Sequence, residues 1–545
     1  MASTIRTPRP NKNKFDLSRE VKMSGNMGIL YPAFMQDVVP GDSYRVNTQQ
    51  MVRFSPLLAP MMHNIDFKLD YFFVPYRLVW DEWKDFITGG EDGNDLPSFP
   101  RVSVNLTTGS NYFSHGKLPD YMGIPIWSLG TSENSAWKDT ANTNVQQVSL
   151  LPFRAYQLIY HEYFRDQNVG TEYEQHTSSG VQLISSDLDD QLVLRRSNWE
   201  KDYFTSALPF LQRGGEVTLP LGDTAPLLFG DHNGVAPNVQ EVKSNTFGSV
   251  ANSGLRSSSS QLTNDSGTIT LLDVSNTHVV DLSNATGATI NELRKASALQ
   301  QWLELMARAG SRYREQIHAI FGERIPDYTV QVPQYLGGGK TPIMVSEILS
   351  TYQATAADGT STDRPMGDMA GHGLGLGDGI GFSQSFDEHG IIIGVARVIP
   401  KSAYSQGLSK FWQKFDKFDH YFPQFANLGE QPVYNKELYV SGQTGDDADE
   451  GIFGYQQRYA EYKYAFNRVA GDFRTTLKHW ELSRKFTDHP VLNQSFIECE
   501  PDTRIFAIDD YDTPEENRAH KVWISLYHKV DALRPIPYHS NPSLT

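Results

Sequence analysis

The sequence predicts a mainly β fold that carries long loops and a few helices. Short apolar runs bounded by Pro and Gly recur between about 26 and 80, and residues 65–71 alternate strictly, as a half-buried strand does. Aromatic residues make up 12% of the chain, with 26 Tyr, 29 Phe and 9 Trp. Such side chains suit pleated sheets and also dominate interfaces, so their abundance indicates a β-rich core or extensive protein interfaces.

The first 16 residues are predicted to form a mobile arm. They are polar and basic, with Arg6, Arg9, Lys12, Lys14 and two prolines. The segment is either a frayed tail or an arm that a partner or nucleic acid orders.

The region from about 26 to 80 is predicted to form strands that lead into a short helix. The alternating segment 65–71 continues to Pro75, which marks an edge or a strand end. Four apolar residues between 80 and 87 then recur at helical spacing, and the helix is expected to stop at Gly89.

The middle of the chain combines loops, one helix and an unusual insertion. Residues 91–150 are loop-rich, and aromatic side chains at 156–164 repeat at the spacing of an amphipathic helix. From about 226 to 290 Ser, Asn, Thr and Gly predominate, and irregular segments of this length are uncommon in compact domains. Short apolar runs at 268–272 and 278–280 indicate strands, so we expect an ordered, protruding, β-rich insertion.

Two helices and further strands are predicted after the insertion. Thr289 and Glu292 have the spacing of a capping box, and a helix from there ends at Gly310, followed by a second helix at 313–321. From 326 onward the pattern is β and loop. Glycine occupies every odd position at 371–381, which permits close backbone approach but specifies register weakly. An aromatic-dense stretch at 411–425 precedes strands near 433–440.

The sequence offers no motif for catalysis, a metal or a cofactor. The single cysteine, Cys499, lies between two glutamates that would raise its thiol pKa, so a structural role is favoured. Gly337–Thr341 resembles the end of a phosphate-binding loop, but Gln334 stands where its first glycine is required, which favours an ordinary loop. The histidines form no H-E-x-x-H, and the acidic run at 446–450 lacks calcium-loop spacing, which favours a solvated turn.

Charge and hydropathy indicate a soluble protein without a global nucleic-acid surface. The net charge is −16, so any nucleic-acid contact must be local or made through a separate basic partner. The most apolar run, 391–399, is too short to span a bilayer, and the N-terminus has no apolar signal region.

Several segments of sequence, taken in order, resemble those of a known protein family. They are YPAFMQDVVPGD at 31–42, YFRDQN at 163–168, FSQSFDEHG at 382–390, FANLGEQ at 425–431 and GYQQRYAEY at 454–462. In this order they resemble the major capsid proteins of microviruses, small single-stranded DNA bacteriophages, and most closely the gokushovirus type. The similarity runs from about 26 to the C-terminus and omits the Ser- and Asn-rich insertion.

The resemblance implies an eight-stranded antiparallel jelly roll with long inserted loops, and about 60 copies in a T=1 icosahedral shell around circular single-stranded DNA. It divides the chain into an arm (1–25), the first part of the core (26–165), a surface insertion (166–290, tip about 226–290) and the remaining core (291–545). The protein would reside in the virion after assembly in the host bacterial cytoplasm. The implied partners are other copies of the chain through fivefold, threefold and twofold contacts, a small basic DNA-binding protein, a pilot protein, an internal scaffolding protein, packaged single-stranded DNA and a host surface receptor.

Two candidate sites follow from the resemblance. The arm, with Arg6, Arg9, Lys12 and Lys14, is expected to face the interior and touch DNA or the basic protein. The insertion is expected to form a threefold protrusion for host attachment, and its receptor-facing residues are predicted to be Asn245, Phe247, Asn252, Leu255 and Asn264.

The alternative hypothesis, from another functional class, is a glycan-binding or glycan-cleaving phage protein. It would use two carboxylates, and no pair stands out among the 64 acidic residues.

Overall fold

The computed structural model describes residues 11–103, 113–125, 147–182, 190–215, 217–218, 289–349, 369–442, 448–514 and 518–539, and the backbone of short strands between 227 and 280. The chain divides into two units, Met1–Leu211 with Met306–Thr545, and Gln212–Leu305. Residues 190–211, which fall in the predicted insertion, thus belong to the first unit, where Leu192 and Tyr203 are buried.

The strands of both units are, in chain order, β1 (Asn13–Asp16), β2 (Arg19–Gly25), β3 (Tyr31–Val38), β4 (Ser43–Phe54), β5 (Ile65–Pro75), β6 (Arg101–Ser103), β7 (Gln147–Ser149), β8 (Val181–Gln182), β9 (Leu227–Phe229), β10 (Val239–Lys243), β11 (Thr246–Ser249), β12 (Arg256–Ser258), β13 (Gln261–Thr263), β14 (Thr270–Leu272), β15 (His278–Val280), β16 (Gln334–Leu349), β17 (Met369–Ser385), β18 (Gly390–Pro400), β19 (Glu430–Tyr434), β20 (Ile452–Gln457) and β21 (Val522–Arg534).

The α-helices are α1 (Trp83–Thr88), α2 (Leu118–Tyr121), α3 (Leu151–Ile159), α4 (Ile290–Ala309), α5 (Tyr313–Phe321), α6 (Asp327–Val330) and α7 (Gln494–Ile497), and a π-helical turn at Tyr160–Phe164 continues α3. The 3₁₀ turns are Tyr76–Leu78, Lys410–Gln413, Lys417–Asp419, Pro423–Phe425, Asn435–Glu437, Ala460–Tyr462, Gly471–Arg474 and Lys478–Trp480. The capping box that begins α4 is confirmed. The Thr289 N–H donates to Glu292 Oε2 (2.7 Å), and the Glu292 N–H donates to Thr289 Oγ1 (3.2 Å).

One large antiparallel sheet dominates the first unit. Its strand order is β1-β21-β4-β17-β16-β5-β18-β3, and β2 also pairs with β21. β16 pairs with β5 through residues 334–343 and with β17 through 344–349, so it passes from one half of the curled sheet into the other. We call β1, β2, β21, β4 and β17 the β21 half, and β5, β18 and β3 the β5 half. This arrangement confirms the predicted antiparallel jelly roll.

The main core lies between the two halves. Along β4 every second residue, from Tyr44 to Phe54, is buried, and β21 alternates in the same way. Their buried side chains pack against residues of the β5 half such as Phe67 and Leu69. This period of two is the pattern that a sheet with one buried face requires.

The two halves differ in how their outer faces are covered. Nearly every residue of β5 and β18 is buried, because α3 packs against the outer face of the β5 half, with Phe153 and Tyr156 in one cluster with Phe72 and Ile393. The outer face of the β21 half carries half-exposed side chains instead.

Glycine shapes β16 and β17. The prediction of a loop at 337–340 is wrong, because these residues lie within β16. A Cβ on Gly338 would lie 2.7 Å from the Leu69 carbonyl oxygen, so the strand approaches β5 more closely than a side chain allows. The alternating glycines of β17 have the predicted role. A Cβ on Gly381 would overlap the main-chain carbonyl of Val46 on β4.

Side chains of the β21 half reach across to the free edge of β3. Carbonyl oxygens at alternate β3 residues accept their hydrogen bonds, and we call this row the side-chain seam. Its bonds run from His528 Nε2 to Ala33 (3.1 Å), from Arg19 to Met35, and from Tyr44 Oη (3.2 Å) and Arg534 Nη2 (3.4 Å) to Asp37. The seam satisfies an edge that would otherwise be open to pairing.

The prediction of a mobile arm is wrong for its last residues. Asn13–Asp16 form β1, paired with residues 531–534 of β21, and the Phe15 ring stacks on Tyr538 at 5.8 Å. Backbone pairing and this aromatic contact hold the segment. Residues 1–10 lie outside the described residues.

The second unit contains short strands in three small sheets. They are β11-β10-β14, β12-β13 and β15-β9. The strands predicted at 268–272 and 278–280 are confirmed as β14 and β15.

Candidate functional site

An exposed set of aromatic side chains lies between 411 and 422 in the first unit. We call it the aromatic surface, and its members are Phe411, Trp412, Phe415, Phe418, Tyr421 and Phe422. Phe415 is 90% exposed, Phe411 69% and Trp412 65%. Large apolar side chains in this state are costly in water and mark interaction sites when they cluster.

Short 3₁₀ turns with defined hydrogen bonds hold this segment. The Asp419 carboxylate accepts hydrogen bonds from the N–H groups of Phe415 (3.1 Å) and Asp416 (2.9 Å), which closes a capping box. These bonds, the one from Asp416 first, lower the pKa of Asp419. The backbone beneath the exposed rings is therefore fixed although it has no long helix or strand.

A second segment, 458–462, anchors the aromatic surface. Arg458 Nη2 donates to the Phe418 carbonyl (3.1 Å), and the Tyr421 ring contacts Tyr459 edge-on at 5.2 Å. The Lys414 ammonium lies 3.6 Å from the centre of the Tyr462 ring. These contacts orient the surface before any partner binds, which reduces the entropy lost on association.

The size of the aromatic surface suits a stable protein contact. Aromatic side chains offer about 150–250 Å² each, so six at these exposures present roughly 700 Å² of apolar surface. The largest apolar patch of a typical monomer is about 300–600 Å², and one side of a standard interface is about 800 Å². The summed exposed area of the six side chains is therefore close to that of one interface half.

The structure describes part of the predicted arm. Lys12 is exposed, and Lys14 pairs with Asp531 on β21 (Nζ–Oδ1 2.7 Å). Arg6 and Arg9 lie outside the described residues. The nucleic-acid role of these four residues stays a prediction.

The predicted receptor-facing residues fall in the second unit. Phe247 lies in β11, where its backbone pairs with Val242 of β10. Asn245, Asn252, Leu255 and Asn264 lie outside the described residues. Their receptor role stays a prediction too.

Groups with reactive potential are held in structural contacts. Cys499 is fully buried, and burial is the main cause of its strongly raised thiol pKa. Of the acidic run, Asp449 binds His489 (2.6 Å) and Glu450 binds Lys436 (2.6 Å), whereas 446 and 447 lie outside the described residues. The ranges that the structure covers contain no group of three potential metal ligands. In the same ranges no helix has the length and apolarity to cross a membrane.

Sequence reasoning singled out the aromatic-dense stretch but not its exposure. The rings at 411, 415, 418 and 422 recur at the three- and four-residue spacing of a buried helix face, so the pattern alone did not separate this stretch from a core element. Nothing in the sequence showed that the capping box and residues 458–462 would present the rings to solvent.

Comparison with known proteins gives consistent results. The family described as capsid protein (F protein) matches residues 3–544. The chain is 33% identical to capsid protein VP1 of Chlamydia phage 1, over 99% of this chain and 97% of that protein. It is 34% identical to capsid protein VP1 of Bdellovibrio phage phiMH2K (92% and 91%), and 28% identical to that of Spiroplasma virus 4 (98% and 95%).

Proposed function

The chain belongs to the phage capsid protein (F protein) family, and from this premise we propose that about 60 copies assemble into a T=1 icosahedral shell around circular single-stranded DNA. A protein of this family is a structural protein of the virion rather than an enzyme.

The aromatic surface is the observation that carries self-assembly. Its exposed rings are pre-oriented by hydrogen bonds and cover roughly the area of one interface half. Aromatic anchors of this kind supply most of the binding energy at protein interfaces. We therefore assign the contact between neighbouring copies to this surface.

Replacing rings of the aromatic surface tests this assignment. We expect the double variant Phe415→Ala, Trp412→Ala to fold normally, because both side chains are mostly exposed, and to lose closed particles in electron micrographs and sedimentation profiles. Loss of one aromatic anchor costs about 2 kcal/mol or more of association free energy, and every copy in the shell loses the same amount. Leu96→Ala, at a residue 86% exposed elsewhere, is the control and should assemble. Normal particles from the double variant would reject the aromatic surface as the contact.

We further propose that the insertion tip at about 226–290 is an outer protrusion used for host attachment, with Asn245, Phe247, Asn252, Leu255 and Asn264 facing the receptor. The proposal is supported by its polar composition and short strands, which differ from the core. Deletion of about 240–280 should leave particles intact and abolish infection. Failure of the particles to form would contradict it.

The remaining proposed partners also follow from membership of the capsid protein family. We propose that Arg6, Arg9, Lys12 and Lys14 face packaged DNA or a small basic DNA-binding protein, and that a pilot protein and an internal scaffolding protein join during assembly in the host bacterial cytoplasm. The net charge of −16 supports a basic partner that neutralises most of the phosphate. Crosslinking of the arm to DNA in particles should succeed, and labelling of the arm on the outside of intact particles would contradict this placement.

A further inference from the structure

The uncovered outer face of the β21 half has a composition unlike that of a plain solvated sheet. Trp523 and Tyr527 project from β21 on this face and are 47% and 45% exposed. Trp523 lies opposite Arg53 on β4, and Tyr527 lies opposite Gln49. Two half-exposed aromatic rings thus stand on one strand, roughly 13 Å apart along it. On β2, the neighbour of Trp523 is Ser24 and that of Tyr527 is Glu20.

The ion pairs between described residues on this face do not include its two guanidinium groups, although Asp531 lies opposite Arg45 in the pairing of β21 with β4. Asp531 binds Lys14 (2.7 Å), and Glu20 lies 3.4 Å from Lys22. Arg45 and Arg53 have no carboxylate within ion-pair distance among the residues that the structure describes. Both lie on the exposed face of β4, where each alternate residue points away from the core. Arg45 and Arg53 are therefore available to contact anions, although the whole chain is acidic.

A shallow groove runs across the same face beside Tyr527. It encloses about 320 Å³ and is lined by Gln49, Met51, Leu376, Asp378 and Tyr527, among others. The groove lies where the pairing of β17 with β4 shifts register between 377 and 380, next to a residue without a side chain, Gly377. Its lining mixes the apolar side chains of Met51 and Leu376 with amide groups and the carboxylate of Asp378, a combination that suits a flat ring with polar edges.

We propose that the outer face of the β21 half binds single-stranded nucleic acid without sequence preference, through stacking of bases on Trp523 and Tyr527 and contact of phosphates with Arg45 and Arg53. Bases of every kind stack on aromatic rings, and a guanidinium contacts phosphate with two donors. The inference rests on the proposed shell around single-stranded DNA, and it names the surface of the subunit that would contact this DNA. β1, with Lys14 on this same face, continues the surface toward the basic arm.

The two guanidinium groups that make no ion pair with the described residues favour nucleic acid over a second copy of the chain as the occupant. A second copy would have to bury Arg45 and Arg53 against carboxylates of its own, whereas a nucleic-acid strand brings one phosphate per nucleotide.

Titration of the purified full chain with a fluorescent oligothymidine tests the proposal. We expect Trp523→Ala and Tyr527→Ala each to weaken binding by about 5- to 150-fold, the effect of one lost base stack. Arg45→Gln and Arg53→Gln should each reduce the slope of log affinity against log salt by about 0.7. Trp302→Ala is the matched aromatic control, since Trp302 is 46% exposed, and Arg324→Gln at an exposed arginine controls for charge.

The outcomes separate this inference from the proposed function. Binding by the Trp523→Ala, Tyr527→Ala double variant within about twofold of the unmodified chain would overturn the inference. Loss of particles with unchanged oligothymidine binding would also overturn it, because the face would then serve a second copy. A chain that binds through this face but never forms closed particles would support the inference and contradict the shell.

Discussion

Acid should loosen the side-chain seam at His528. This histidine is fully buried, and its Nε2 must carry the proton because the Ala33 carbonyl can only accept. Its Nδ1 is therefore the acceptor toward Thr48 Oγ1 at 2.8 Å. A second proton on the ring would replace that acceptor with a donor and place a charge near Arg19 in the core.

The size of the effect follows from the shift in the pKa of His528. Burial, with the charge of Arg19, lowers this pKa from 6.5 to about 4, against the opposing hydrogen bond to Ala33. The unfolded chain therefore binds more protons than the folded chain between these values, and stability falls as the pH falls through 6.5. The His528 contribution to this loss is about 3 kcal/mol between pH 7.5 and pH 4.

Hydrogen–deuterium exchange measures this loss locally. Exchange of β3 and β21 peptides in unassembled subunits, corrected for intrinsic rates, should report a protection energy that falls with pH. His528→Gln keeps a donor and an acceptor but cannot be protonated, so its protection should fall by about 3 kcal/mol less over the same range. His420→Gln, at an exposed ring, is the control for the loss of one histidine.

The comparison between variants isolates His528, because carboxylates and other histidines titrate equally in both proteins. Equal pH dependence of β3 protection in the unmodified chain and the His528→Gln variant would refute the reasoning. So would protection that rises as the pH falls.

Three further predictions concern packing, charge and reactivity. Gly381→Ala should destabilise the subunit by about 3 kcal/mol or more in urea unfolding, because its Cβ would overlap a main-chain carbonyl of β4, whereas Gly215→Ala, with open space around it, should change little. Arg534→Met should cost about 3–5 kcal/mol, because it leaves the buried Asp42 carboxylate without its partner at 2.9 Å, and Asp42→Asn in the same chain should restore part of that stability. Cys499 should react with iodoacetamide only after unfolding, because its thiol is buried and its pKa is raised, and rapid labelling of the native protein by mass spectrometry would contradict this.

Local signals predicted the local elements. The alternation at 65–71 lies in β5, the capping box at Thr289 begins α4, and Gly89 ends α1 in the left-handed conformation. Each depends on residues close together in sequence, so each can be inferred without knowing the fold.

Features that depend on residues distant in sequence could not be predicted from the sequence. The glycines at 337–339 read as a loop because nothing nearby shows that β5, more than 260 residues earlier, pairs with them. The same distinction between local and distant signals applies to the candidate sites. Composition located the aromatic stretch, but its exposure and the outer face of the β21 half emerged only when strands distant in sequence were brought together.

β16 gives the subunit a stiffness that two separate sheets would lack. Because one backbone belongs to both halves, neither half can slide along the other without changing the pairing of β16 at both ends. In a closed lattice each small tilt within a subunit is repeated at every position, so it adds up around the circumference. A strand that fixes the angle between the two halves therefore limits the tilt that each copy can contribute to a shell.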